Sequence, residues 1–208
     1  KYTRGYELIV TPIVFNGRYH VHFYPRLGGL LDRIRPDIVH VDEEPYNFAT
    51  YLAMRAAQRI GARRIFYTWQ NIYRRVPLPF SLVERANYQF SDAAIAANED
   101  AAAVLRRKGF ERPVTVIPPG VDPDLYRPAP ESRHGTFRIG YVGRLVHEKG
   151  VDVLLRACRL LGGDWSLHIV GEGDREATLR SLAIRLAIGE QVAFQSAVPS
   201  GQVASILH

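Results

Sequence analysis
The chain has 208 residues, 47% of them hydrophobic and 23% charged, the ordinary composition of a soluble globular protein of one large domain or two of about 100 residues. No apolar run approaches the roughly 20 residues that cross a bilayer, which excludes a spanning helix, and the single Cys158 excludes a disulfide framework. A net charge of +6 with a pI near 9.6 favours anionic partners, but the cations are dispersed, so nucleic acid is not expected among them. Anionic lipid or a phosphorylated substrate fits the charge.

In chain order, residues 7–15 read as a strand and residues 24–33 as a helix. The aromatic stretch 19–24, with His20 and His22, alternates like a strand or extended loop and reads as packing against the sheet, with an acceptor site as the alternative. Residues 38–41, after Pro36-Asp37, read as a buried strand. Phe48, Ala49, Leu52, Ala53, Ala56 and Ile60 form one helical stripe that stops at Gly61. Residues 64–68 are the next strand and 81–90 the next helix. Residues 93–97 are a strand by position, although alanine has weak β propensity. Asn98 is placed to cap a helix that carries Glu99 and Asp100 in its first turn and Gly109 just past its end. The cations Arg106, Arg107 and Lys108 at that end complement the helix dipole. Residues 114–117 close this half.

The alternation then resumes. Residues 137–142 read as a strand, Val151, Leu154, Leu155, Cys158 and Leu161 as a helical face, and 166–170 as a strand. Leu179, Leu182, Ala183 and Leu186 form a second helical face, and 191–195 a last strand. Cys158 lies inside its apolar face, so it reads as a buried, inert thiol. Such alternation predicts an α/β protein built on parallel sheets with helices on both sides. Between them, Pro118, Pro119, Pro123, Pro128, Pro130, Ser132 and Gly135 form a stretch that cannot continue a helix and suits an interdomain connection. Two domains are therefore expected, over residues 1–125 and 134–208, with ligands at the carboxyl ends of their strands, in the cleft between the halves. The chain begins at Lys1 without a Met and stops at Leu207-His208 inside a helical pattern, so both domains are expected to be incomplete.

The densest chemistry lies at Val142-Gly143-Arg144-Leu145-Val146-His147-Glu148-Lys149-Gly150, where a strand gives way to a loop with two cations and then to a helix start. A helix N-terminus favours anions. Arg144 can fork onto two oxygens, and Lys149 adds a compact charge beside it. The segment suits a diphosphate, while an ordinary β-α loop with two solvated cations explains it too. Val170-Gly171-Glu172-Gly173-Asp174 repeats the strand-to-helix hand-over, with two glycines that permit close backbone approach. It lacks the third glycine and the later carboxylate of the dinucleotide fingerprint.

Together, the segment from Gly143 to Gly150 and the one from Val170 to Gly173 resemble the donor-binding half of retaining GT-B glycosyltransferases of family 4. Ile117-Pro118-Pro119-Gly120-Val121-Asp122 is similar to that family's Pro-Asn-Gly-Val-Asp segment at the domain junction, with Pro119 in place of Asn. The resemblance is close over residues 93–208 and looser before them. It implies two Rossmann-like domains in the GT-B arrangement. It also implies transfer of a hexose, with retention of configuration and without a metal, from a UDP-, GDP- or ADP-sugar to a glycan or lipid-linked acceptor. The nucleotide-sugar is a substrate, and no cofactor is implied. Arg144 and Lys149 would hold the diphosphate and stabilise its charge as it leaves. Gly143, Gly171, Gly173 and the backbone near Val198 would complete the donor side.

Two departures stand out. The family's Glu-x7-Glu segment, which binds the donor sugar, is expected beyond His208; Glu172 and Glu176 come too early and read as loop and helix-surface residues. This 208-residue piece alone is therefore expected to be inactive. At Thr68-Trp69-Gln70-Asn71, where many relatives have a His, Gln70 or Asn71 can hydrogen-bond a ligand but cannot carry a proton. On the acceptor side Glu43, Glu44, Tyr46 and Asn47 follow a strand. They read equally as acceptor ligands or as acids complementing the dipole of the next helix. Arg74-Arg75 and the apolar residues 76–80 suit contact with a membrane surface as well as a solvated loop. A cytoplasmic protein is expected, with a peripheral position at the inner face of the membrane as its variant. The rival readings are a catalytically inactive glycosyltransferase-like binding module and another Rossmann nucleotide-binding enzyme such as a sugar-nucleotide epimerase.

Overall fold
A computed structural model describes residues 5–127 and 135–207. The chain divides into two compact units, Lys1–Gly120 and Val121–His208. Pro128, Pro130 and Ser132 of the expected connection lie outside the described residues.

The first unit runs α1 (Leu27–Ile34), β1 (Ile38–Val41), α2 (Phe48–Arg59), β2 (Arg63–Thr68), α3 (Phe80–Phe90), β3 (Ala93–Ala96), α4 (Glu99–Arg107) and β4 (Val114–Val116). Its four strands pair in parallel in the order β1-β2-β3-β4. Every crossover steps the same way, and right-handed connections then place α2, α3 and α4 on one face. Burial agrees with this. The row Val41, Phe66, Ala94 and its neighbours Thr68 and Ala96 face the helices, and Phe66 and Ala96 are wholly buried. On the other face His40 is exposed and Ile65, Tyr67 and Ile95 are half-buried. Among the described residues the three crossover helices thus share one face of this sheet, where helices on both sides were expected.

Ala94 and Ala96 of β3 and Ala49, Ala53, Ala56 and Ala57 of α2 are buried and let helix and sheet approach closely. Larger side chains fill the space between: Met54, Phe66, Tyr88, Leu105 and Phe110 share one core. Burial of an aromatic such as Phe66 contributes about 1.5–3 kcal/mol. Asn98 caps α4 as its position predicts, its Oδ1 accepting from the Ala101 N–H at 2.8 Å. Arg106 donates to the Phe110 and Arg112 carbonyls just past the helix end.

The strand expected over residues 7–15 is absent. Only an isolated antiparallel bridge between Val14 and Phe23 remains, and Pro12 has no N–H to offer a ladder. In the stretch 19–24 only residues 19–21 form a turn, and the His20 carbonyl accepts from the Phe48 N–H, tying it to the start of α2.

The second unit runs β5 (Phe137–Val142), α5 (Val151–Cys158), β6 (Trp165–Val170), α6 (Glu176–Arg185), β7 (Val192–Gln195) and α7 (Ser200–Leu207). The strands are again parallel, in the order β5-β6-β7. Ile139, Tyr141, Leu167, Ile169, Val192 and Phe194 pack against Val151, Leu155 and Cys158 of α5 and Leu179, Leu182 and Ala183 of α6. Cys158 is buried, as its apolar face predicts, and burial pushes its thiol up. No helix among the described residues is long and apolar enough to cross a membrane.

Candidate functional site
Parallel strands put all their carboxyl ends at one edge of a sheet, so in the second unit the loops after β5, β6 and β7 meet. Backbone hydrogen bonds lace them together. The Gly143 N–H donates to the Val170 carbonyl at 3.0 Å, the Leu145 N–H to the Glu172 carbonyl at 2.9 Å, and the Gly171 N–H to the Gln195 carbonyl at 3.0 Å. Gly171 has φ 150°. A Cβ on it would overlap the Gly143 carbonyl, and one on Gly173 would overlap the Leu145 carbonyl. Both glycines are thus required by the neighbouring loop before any ligand is considered.

A cavity of about 310 Å³ opens at this edge, lined among others by Gly143, Arg144, Gly171, Glu172, Ala197 and Val198. Arg144 is exposed there, and its carbonyl accepts from the Tyr141 hydroxyl at 3.0 Å. Lys149 and Gly173 are not part of that lining. Lys149 is exposed in a 3-10 turn, His147–Lys149, that the sequence pattern does not reveal, and Gly150 at φ 63° leads from it into α5. Glu172 is more than a loop residue, because its carboxylate accepts from the Ala197 N–H at 3.3 Å and links two walls of the cavity. Glu176 lies on the helix surface as expected, paired with Arg180 one turn on.

In the first unit, Glu43 and Glu44 lie in the loop after β1. Neither is in the first turn of α2, whose N-cap is Asn47 and whose first turn has no acid. The alternative of dipole-complementing acids therefore falls. The two carboxylates also diverge. Glu43 meets His22 Nε2 at 3.1 Å and accepts from Asn47 Nδ2 at 2.7 Å. With that amide so oriented, Asn47 Oδ1 faces His20 Nδ1 at 3.3 Å. Glu44 accepts from the Thr68 hydroxyl and the Trp69 N–H, both at 2.7 Å. Burial raises its pKa against the pull of those two hydrogen bonds. Tyr46 is pushed up to about 12, first by burial and then by the charges of Glu44 and Glu84.

Gln70 is held from an unexpected direction. Lys108 points inward instead of solvating the end of α4, and its ammonium donates to Gln70 Oε1 at 2.7 Å and to Glu84 Oε1 at 2.6 Å. Lysine has only donors, so the Gln70 oxygen faces it and the Gln70 amide N–H groups are left for other acceptors. Asn71 is exposed, with no side-chain hydrogen bond among the described residues. Of the six acceptor-side candidates, then, Glu43, Glu44, Asn47 and Gln70 are hydrogen-bonded within the unit, Tyr46 packs edge-on against His20, and Asn71 faces solvent. Among the described residues no group of three or more His, Cys, Asp or Glu is placed to hold a metal.

Two parallel α/β units in series, the second with three laced loops around a cavity that carries an arginine, are the architecture that solved GT-B glycosyltransferases share. The sequence matches the model of Glycosyltransferase Family 4 over residues 2–125 and that of Glycosyl transferases group 1 over residues 123–208. The chain belongs to glycosyltransferase family 4.

Among curated relatives, a GDP-mannose-dependent alpha-(1-6)-phosphatidylinositol monomannoside mannosyltransferase of Mycolicibacterium smegmatis is 28% identical over 163 residues, which is 71% of this chain and 42% of the relative. A 2-deoxystreptamine glucosyltransferase of Streptomyces kanamyceticus is 26% identical over 141 residues, 60% of this chain and 36% of the relative. Among solved structures, HepE of Anabaena in complex with UDP superposes with a TM-score of 0.73 at 17% identity, covering 86% of this chain and 54% of that one. The apo lipopolysaccharide outer core galactosyltransferase WaaB gives 0.64 at 19%, covering 88% and 50%. The chain thus spans less than half the length of these curated relatives and about half the length of these structures.

Proposed function
We propose that the protein of which this chain is part transfers a hexose from a nucleotide-sugar to a glycan or lipid-linked acceptor, with retention of configuration and without a metal ion. The observation that carries this reading is the exposed Arg144 on the wall of the cavity at the carboxyl edge of β5 and β6. Its planar fork matches two oxygens of a diphosphate, and Lys149, five residues on, supplies the second positive charge. Both cations meet charge that grows on the diphosphate as the bond from the anomeric carbon to its oxygen breaks, so they act mainly in the transition state. The backbone near Val198 offers hydrogen-bonding groups for the base. Gln70, with its oxygen taken by Lys108, offers N–H donors to an acceptor oxygen but takes no proton. The proton of the acceptor hydroxyl passes to the departing diphosphate oxygen. A lipid-linked acceptor would place the protein at a membrane surface, at the cytoplasmic face.

The relatives support this choice. One is named for a GDP-mannose donor and a phosphatidylinositol mannoside, and another for glucosyl transfer. The test is turnover by the full-length protein with UDP-, GDP- and ADP-hexoses in the presence of EDTA, with the product anomer read by NMR. Arg144→Ala and Lys149→Ala should each abolish release of the nucleoside diphosphate. Unchanged turnover in both variants would sink the diphosphate role.

A further inference from the structure
The segment between β2 and α3 turns large apolar side chains outward. Trp69 is 52% exposed, Ile72 59%, Leu78 71% and Leu82, in the first turn of α3, 59%. Apolar residues scattered singly over a surface are ordinary, but several in one short segment mark an interaction surface. Cations are interleaved with them. Arg74 and Arg75 are exposed between Ile72 and Leu78, and Arg85 is exposed one helical turn after Leu82. No Asp or Glu occurs from Trp69 to Val83, and the next acid, Glu84, is turned inward against Lys108.

We propose that this segment docks on an anionic lipid bilayer. Trp69, Ile72, Leu78 and Leu82 enter the boundary between headgroups and acyl chains, and Arg74, Arg75 and Arg85 meet the lipid phosphates. The segment is anchored near its start, at Trp69 and Tyr73. The Trp69 N–H donates to Glu44, and the Arg107 guanidinium covers the Tyr73 ring at 4.0 Å. It follows β2, so it lies at the carboxyl edge beside Glu44 and Gln70. In this respect the inference rests on the lipid-linked acceptor of the proposed function. The docking surface itself needs no catalysis.

The experiment is co-sedimentation of the chain with vesicles of phosphatidylcholine alone or with about 30% phosphatidylglycerol, alongside tryptophan fluorescence. Trp165 is buried and Trp69 exposed, so a blue shift on adding vesicles reports Trp69. Binding to the phosphatidylglycerol vesicles with a blue shift is expected. The pair Arg74→Glu and Arg75→Glu should weaken it about tenfold or more, and the pair Leu78→Ser and Leu82→Ser comparably. Trp69→Phe should keep sedimentation and lose the shift. Equal binding to both vesicle types, unchanged binding by the variants, or no binding would overturn the proposal. So would a dimer in solution that the same variants dissociate, since it would assign the surface to a second copy. Turnover of the full-length protein is read separately, so failed vesicle binding leaves the transferase reading standing.

Discussion

Gly171 crosses Gly143 so closely that a Cβ on Gly171 would overlap the Gly143 carbonyl. The same contact aligns the loops that carry Arg144 and Glu172. Gly171→Ala should therefore destabilise the chain by about 1–3 kcal/mol, the usual cost of forcing atoms into a filled space, with a further cost from φ 150°. Urea unfolding measures it. Gly120→Ala, where an added Cβ meets no atom within 4 Å, is the control that should stay near the parent.

Lys108 and Glu84 pair at 2.6 Å with side chains only 5% and 10% exposed. Lys108→Met should cost about 3–5 kcal/mol because it strands a buried carboxylate. Adding Glu84→Leu should recover most of that loss, since an apolar pair of similar volume often matches a buried ion pair. Denaturation of the two single variants and the double variant decides it. Additive losses would show that the two residues do not act together.

Asp92 accepts from the Arg64 backbone N–H at 2.9 Å and from its guanidinium at 3.0 and 3.2 Å. Burial works against the carboxylate, but the Arg64 hydrogen bonds and charge outweigh it and lower its pKa below 3.8. A depressed carboxylate stabilises the fold above the unfolded-state value, and that stability is lost as pH falls through the folded value. Asp92→Asn should cost about 1.5–3 kcal/mol at neutral pH. The gap from wild type should close as pH drops below 3.8. Thermal unfolding of both proteins across the acid range measures it.

Cys158 is 2% exposed and its thiol is raised by burial, so the nucleophilic thiolate is scarce and shielded. Iodoacetamide should leave the native chain unlabelled over an interval that labels it fully in urea. Mass spectrometry reads the difference. Rapid labelling of the native chain would place the thiol at the surface.

Much of the fold was legible because local chemistry decides it. Residues 38–41 and 137–142 read as strands from short apolar runs after turn residues, and both are strands in the structure. Asn98 with Glu99 and Asp100 announced the start of α4, and a cap is settled within four residues. The failures lie where partners are distant in sequence. Residues 7–15 have strand-like composition, but a strand needs a neighbour, and only Val14 finds one. Lys108 looked like a helix-end cation. Its side chain instead turns inward and meets Glu84 and Gln70, 24 and 38 residues away. Nothing in a single sequence marks such a pair. Of the six residues expected on the donor side, Gly143, Arg144, Gly171 and Val198 line the cavity and Lys149 and Gly173 do not, and the hydrogen bond from Ala197 to Glu172 was not legible.

The proposed grip of Arg144 on a diphosphate is tested most directly by titration calorimetry of UDP, GDP and ADP into the chain and into its Arg144→Ala variant, with the monophosphates as controls. At least one diphosphate should bind the parent more tightly than its monophosphate, and Arg144→Ala should erase that margin with a loss of about tenfold or more. Equal affinity of parent and variant for the diphosphates would contradict the assignment.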